Sequence, residues 1–254
     1  MREQIMTDVK LSVIAPCFNE EHNVATLVQR TLATFKAMGI VGELVLIDDG
    51  SRDRTWERIT EAMQKHPEVR GVRHLKNRGI EGGWLSGLDN SSADVICLID
   101  SDLQNRPEDI ERLWETYQRE PVDIVQAVRH PQGLERRRLV FSSTLNAILN
   151  ISFGTHLRDS KSGFVICRRE VFRLILDHKF KYRYFQSFIG AAAGVRQFTV
   201  AEVDTTFEQR RAGQSFLAGF PVKAVVRIVW DLAKFRVETL TDPRHKERPR
   251  TSRY

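Results

Sequence analysis

The sequence predicts an α/β fold: a mixed, mostly parallel sheet flanked by helices in a single domain. Two observations lead there. Short continuous apolar runs, the mark of buried strands, alternate with longer segments of helical periodicity. Three of those runs also end abruptly in acidic residues, which gathers polar chemistry on the rim where open α/β sheets bind ligands.

In chain order, Lys10 to Ala15 is the first expected strand, and Glu20 to Met38 a helix with Val24, Leu27, Val28, Leu32 and Phe35 on one face. Glu43 to Asp48 is the second strand, and Ser51 or Asp53 caps a helix reaching Gln64. A third strand covers Val69 to Leu75, and a short helix Gly82 to Asn90. Val95 to Ile99 is the fourth strand, Pro107 starts a helix through Tyr117, and Val122 to Val128 is the fifth strand. Beyond it lie a basic loop from Gln132 to Arg138, an amphipathic helix from Leu139 to Phe153, and a strand from Gly163 to Cys167. A helix from Arg169 to Leu176 and a strand from Gln197 to Phe207 follow. Then come a second basic loop, Gln209 to Ser215, and a long helix, Phe216 to Val237. Residues 1–9 are read as an extension and 10–238 as the domain, with a nucleotide-binding-type α/β half (10–128) and a less regular half (129–238). Residues 239–254 are read as a basic, disordered tail.

Bulk properties exclude several classes. The chain has 254 residues, enough for a proper core. Cys17, Cys97 and Cys167 are scattered and odd in number, without disulfide or zinc spacing, which suggests a reducing, cytoplasmic compartment. The polar start lacks a secretory core, and no apolar run approaches the roughly 18 residues of a membrane span. A net charge of +6 and a pI near 9.4 favour anionic partners, yet no nucleic-acid-binding signature is present. Gly82 and Gly83 lack dinucleotide spacing, and His22, His66, His74 and the other histidines lack metal spacing and are read as surface residues. Cys17 is read as packing rather than nucleophilic.

The acidic rim carries the chemistry. The first strand leads into Pro16-Cys-Phe18-Asn-Glu20, the second into Asp48-Asp49-Gly50-Ser51, and the fourth into Asp100-Ser-Asp102-Leu-Gln104. Phe18 can lie against a base, Glu20 can accept ribose hydroxyls and Asp48 base N–H groups. Asp100, Asp102 and Gln104 offer the oxygen ligands that Mg²⁺ or Mn²⁺ takes when it also binds a diphosphate. The competing reading of Asp-Ser-Asp alone is a turn or helix cap.

Together these motifs resemble inverting glycosyltransferases of family 2 with the GT-A fold, and most of all the polyprenyl-phosphate sugar transferases. The resemblance runs from Leu11 to Arg236 and adds Asn77-x-Gly79, Asp159-x-x-Ser-Gly-Phe164 and Arg210-x-x-Gly-x-Ser215 to the motifs above. It implies a UDP- or GDP-sugar donor with its nucleoside held by Pro16, Phe18, Glu20 and Asp48, and a metal held by Asp100, Asp102 and Gln104. Asn77 and Gly79 join the donor site. Arg210 would lie over the diphosphate, and Asp49 would orient either a loop or the base. On the acceptor side, Arg129, Arg138 and Ser142 match a phosphate pocket, and Arg138 and Ser142 share a helical face at i, i+4. Asp159 is the residue to test if a hydroxyl acceptor needs a base.

The resemblance implies transfer to a dolichyl or undecaprenyl phosphate. The alternatives are a hydroxyl acceptor on a soluble metabolite or glycan, and a non-catalytic nucleotide-sugar module. Phe216 departs from the pattern, where these transferases carry Lys, and the family's membrane helices find no match. In the last helix Lys223, Arg227, Asp231 and Lys234 oppose Phe220, Ala224, Ile228, Leu232 and Phe235. That pattern fits either a solvated face or an interfacial helix that, with the tail, brings the enzyme to the cytoplasmic membrane face.

Overall fold

The computed structural model describes residues 8–131, 146–159, 162–180, 182, 185–208 and 222–242. Seven strands form one sheet: β1 (Leu11–Cys17), β2 (Gly42–Asp48), β3 (Val69–Arg73), β4 (Val95–Leu98), β5 (Ile124–Pro131), β6 (Val165–Arg168) and β7 (Val200–Phe207), in spatial order β3-β2-β1-β4-β6-β5-β7. Only β6 is reversed, pairing antiparallel with both β4 and β5, while the other ladders are parallel. The chain runs outward from β1 to β3, then returns to β4 on the other side of β1. That reversal opens a crevice beyond the carboxyl ends of β1 and β4, the position at which doubly wound sheets bind ligands.

Strand residues are buried on both faces, and parity decides which helices they meet. Val13, Ala15, Leu44, Leu46, Cys97 and Ile99 face α1 (Val24–Met38), α2 (Thr55–Lys65) and α4 (Asp109–Arg119). Ile14, Val45, Ile47, Ile96 and Leu98 face the opposite layer. That layer comprises α3 (Gly79–Asp89), helical residues 146–153 (α5), α6 (Arg169–Leu176), α7 (Ile189–Val195) and α8 (Val222–Thr241). A short 3₁₀ turn, Phe185–Phe188, precedes α7. Phe153, Tyr182, Phe185, Phe188 and Phe235 form an aromatic cluster that holds α8 and α5 onto this layer.

Element types follow the sequence reading, with differences at the ends. The helices after β1 and β2 begin at Val24 and Thr55, after loops in which Asn19, Glu20 and Glu21 are hydrogen-bonded to Ser51, Arg52, Asp53, Arg54 and Thr55. α3 starts at Gly79, three residues before the expected Gly82. The sequence reading assigned no element between Leu176 and Gln197, where the 3₁₀ turn and α7 lie. The expected histidine placement fails twice: His74 and His178 are both buried, with side-chain exposures of 5% and 3%. On α8 the expected apolar positions Leu232 and Phe235 are buried, but the expected polar position Asp231 is also completely buried. Lys234 lies over the Phe180 and Tyr182 rings, and Trp230, Val237 and Leu240 are exposed; the side chains of Lys223 and Arg227 lie outside the described residues. Among the described residues, no helix is long and apolar enough to cross a membrane.

Candidate active site

Two loops at the carboxyl ends of β1 and β2 are bound into one rigid unit. Asn19 N–H donates to Ser51 Oγ (3.0 Å) and its side-chain oxygen accepts the Arg52 N–H (2.8 Å). Glu20 N–H donates to Thr55 Oγ1 (2.8 Å), and Glu21 N–H to Asp53 Oδ2 (3.2 Å). Asp53 also accepts the Thr55 N–H, so the expected capping residue ties both loops to the start of α2. Asn19 adopts φ +58° within this lattice. Phe18 stands on it 45% exposed, a large apolar ring kept in water on a fixed base. Glu20, by contrast, is buried and accepts a hydrogen bond from Asn23 Nδ2 (2.6 Å).

The paired carboxylates after β2 have different surroundings. Asp48 is completely buried; Oδ1 accepts the Ser51 N–H (2.9 Å), and Oδ2 lies 3.4 Å from Arg73 Nε. Asp49 turns the other way. Its Oδ1 accepts the Arg78 N–H (2.8 Å), and its Oδ2 the Gly79 N–H (2.9 Å). Arg78 and Gly79 are the cap and first residue of α3, and Arg78 makes no side-chain cap of its own. A carboxylate from another loop thus satisfies two N–H groups that a helix start leaves orphaned. Gly79 itself has φ +79°, and Asn77 Oδ1 accepts its N–H (3.1 Å).

The Asp100–Gln104 turn is anchored at both ends. Ser101 Oγ donates to the Pro16 carbonyl (2.8 Å), fixing the turn to the end of β1. Glu208 N–H donates to the Gln104 carbonyl (2.8 Å), and Asn105 bridges to Phe207, fixing it to the end of β7. Leu103 is held at φ +62° with its side chain 2% exposed, a strained conformation costing on the order of 1 kcal/mol. Asp100 Oδ2 lies 3.3 Å from Asn105 Nδ2, and Gln186 Nε2 reaches both Asp100 oxygens at 3.5 Å. Asp102 Oδ1 accepts the Gln104 N–H (3.0 Å).

Two carboxylates and an amide oxygen in five residues make a hard-oxygen donor set. Such a set suits a cation that takes one or two protein carboxylates and completes its shell with substrate oxygens, which is how Mg²⁺ is usually held.

Arg129, on β5, closes the other side of the rim. Its guanidinium forks onto Asp159, Nε to Oδ2 at 2.7 Å and Nη2 to Oδ1 at 3.0 Å, and lies over the Phe207 ring. Burial alone would lower its pKa, but the hydrogen bonds and charge of Asp159, with the fields of Asp100 and Asp102, raise it above its ordinary value. The Asp159 backbone is held in turn: its carbonyl accepts from Gln126 Nε2 (3.0 Å), and its N–H donates to Glu202 Oε1 (3.2 Å). Cys17 lies at the same rim, but burial pushes its thiol up to about 12, which leaves it a packing group.

The described residues thus bring Pro16, Phe18, Glu20, Asp48, Asp100, Asp102, Gln104, Arg129 and Asp159 to one edge, with Asn77 and Gly79 on the adjoining loop. Arg210, Arg138, Ser142 and Phe216 lie outside the described residues. Sequence reasoning missed Gln186, which comes from the segment without a recognised pattern, and His74, whose partner Asp49 is 25 residues away.

The family model described as glycosyl transferase family 2 matches residues 12–179. The chain belongs to glycosyl transferase family 2. It is accordingly a glycosyltransferase, and its sheet is that of the GT-A fold. Among curated members of this family, it is 31% identical to the undecaprenyl-phosphate 4-deoxy-4-formamido-L-arabinose transferase of Pectobacterium atrosepticum, over 90% of this chain and 68% of that one. It is 30% identical to the dolichol-phosphate mannosyltransferase of Pyrococcus furiosus, over 91% of this chain and 65% of that one. The chain therefore spans about two thirds of the length of these relatives. Among solved structures, the glucosyl-3-phosphoglycerate synthase of Mycobacterium tuberculosis in complex with Mn²⁺, UDP and glucosyl-3-phosphoglycerate superposes with a TM-score of 0.65. That match covers 94% of this chain and 82% of that one at 20% identity, a likeness of fold.

Proposed function

We propose that this family 2 glycosyltransferase moves a sugar from a UDP- or GDP-sugar to a polyprenyl phosphate. The observation that carries the reading is the position of Arg129. It is a cation on β5 that bonds Asp159 and feels Asp100 and Asp102, so a phosphate seated by Arg129 would adjoin a donor held by the acidic rim. The names of the relatives, an undecaprenyl-phosphate and a dolichol-phosphate transferase, point to the same acceptor class.

In this reading Phe18 supports the base and Asp48 and Glu20 hold the nucleoside. Asp100, Asp102 and Gln104 would bind Mg²⁺ or Mn²⁺, which neutralises the diphosphate so that it can leave. Arg210 would stabilise the same departing charge, and Arg129, Arg138 and Ser142 would seat the acceptor phosphate. A phosphate monoester has a second pKa near ~6 and is largely dianionic at neutral pH, so it attacks the anomeric carbon without a strong base. The bond from that carbon to the diphosphate breaks as the new one forms, inverting the centre and releasing the nucleoside diphosphate. A hydroxyl acceptor would need a base, and the two oxygens of Asp159 are engaged by Arg129.

The acceptor would lie at a membrane in this reading, and α8 would provide a contact. Trp230, Val237 and Leu240 are exposed at 65%, 58% and 57%, and the sequence after the helix includes Arg244, Lys246, Arg248, Arg250 and Arg253 against Asp242 and Glu247. An exposed apolar stripe followed in sequence by basic residues suits an anionic lipid surface.

The test is a panel of nucleotide sugars assayed with a short polyprenyl phosphate, with a soluble alcohol, and with neither, measuring the nucleoside diphosphate released. Turnover requiring the lipid phosphate supports the proposal. Turnover with alcohols alone would replace it with the soluble-acceptor reading.

A further inference from the structure

Four side chains meet beneath the exposed loop Leu75 to Arg78. His74 Nδ1 lies 2.7 Å from Asp49 Oδ1, and its Nε2 lies 2.8 Å from Ser86 Oγ. Arg78 Nη1 approaches the same Nε2 at 3.5 Å and Ser86 Oγ at 3.3 Å. An ionised carboxylate only accepts, so Nδ1 carries the proton that faces Asp49. The main chain reinforces the arrangement, with the His74 N–H donating to the Asp48 carbonyl (2.9 Å).

The Asp-His-Ser order resembles a hydrolytic triad, but the setting is wrong for one. Ser86 is 9% exposed and lies within α3, and a guanidinium stands against its hydroxyl. The output of the network is instead the Asp49 carboxylate, which holds the Arg78 and Gly79 N–H groups and so fixes the loop that bears Asn77. Gly50 completes the seat: a Cβ there would fall 2.7 Å from Asn77 N and from Lys76 C, so the two loops touch backbone to backbone.

We propose that His74 is a positioning residue that aims the Asn77-x-Gly79 loop at the donor by orienting Asp49. Asp49 is then a latch rather than a nucleotide ligand. The effect on turnover rests on the proposed donor role of that loop, whereas the latch itself does not.

Three variants separate the possibilities. The amide nitrogen of an asparagine falls where Nδ1 stands and can still donate to Asp49, whereas a glutamine reaches towards Nε2 instead. His74→Ala and His74→Gln are expected to raise the donor KM roughly tenfold, the usual scale for losing a hydrogen bond to a charged group. In both, kcat and the acceptor KM stay within about twofold, and His74→Asn recovers most of the donor KM. Hydrogen exchange of the Arg78 and Gly79 amides in the ligand-free protein reads the latch directly. It should accelerate in His74→Ala and His74→Gln and recover in His74→Asn. Unchanged exchange in His74→Ala, or equal behaviour of all three variants, overturns the proposal. Faster exchange with an unchanged donor KM keeps the latch and removes the donor role from the loop.

Discussion

Arg129 and Asp159, 30 residues apart, grip one another through two hydrogen bonds at the meeting of the acidic rim and the acceptor side. A carboxylate engaged on both oxygens by a guanidinium is a poor base and a good support. Asp159→Asn is therefore expected to raise the acceptor KM more than it lowers kcat, and to leave the shape of the kcat–pH profile intact. Steady-state kinetics across pH check this; loss of the acidic limb, with kcat greatly reduced, would make Asp159 the general base. Arg129→Lys keeps the charge but loses the fork and should weaken acceptor binding roughly tenfold.

Gly50→Ala tests the contact between the two donor-side loops. Gly50 has φ +74°, and an added Cβ meets backbone that cannot easily move. The melting temperature should fall by about 3 °C or more, and the donor KM should rise. Thermal unfolding monitored by circular dichroism, beside donor kinetics, measures both.

The cysteines should be silent in the folded protein. All three are free and fully buried, and burial raises each thiol, Cys17 to about 12. Alkylation near pH 8, followed by mass spectrometry, is expected to label none until denaturant unfolds the chain. Rapid labelling of Cys17 in the native state would show that the rim opens.

A pH effect on stability follows from Arg30 and Glu108. The Arg30 fork on the carboxylate (2.7 and 2.5 Å) holds Glu108 below its ordinary 4.5, against a smaller opposing effect of burial. A carboxyl lowered on folding stabilises the folded state above its unfolded pKa, and that contribution is lost as pH falls through the folded value. Glu108→Gln should therefore melt below the wild type near neutral pH, and the gap should narrow as pH falls below 4.5 and through the lowered folded value. The effect is modest because Glu108 is 44% exposed.

Much of this architecture is legible in the sequence because its signals are local. Continuous apolar runs such as Glu43 to Asp48 mark strands buried on both faces, and the acidic residues at their ends mark the rim. What escaped was set by distance in sequence. His74 has no periodic or metal-binding pattern; its identity as a buried buttress depends on Asp49 and Ser86 from other elements. Asp231 follows helical spacing for a polar face, yet tertiary packing buries it and leaves Trp230 in water. The 3₁₀ turn, Phe-Gln-Ser-Phe, is too short to show a period, and α7, built of Ile, Gly, Ala and Val, has no polar face to read.

The central claim is that Asp100, Asp102 and Gln104 hold a metal-bound nucleoside diphosphate. Calorimetric titration of UDP and GDP into the protein, with Mn²⁺ and with chelator, tests it most directly. The account predicts that one of them binds at least about tenfold more tightly with Mn²⁺, and that Asp102→Ala abolishes the difference while melting as the wild type does. Equal affinity with and without metal in the wild type, or an undiminished metal effect in Asp102→Ala, would contradict it.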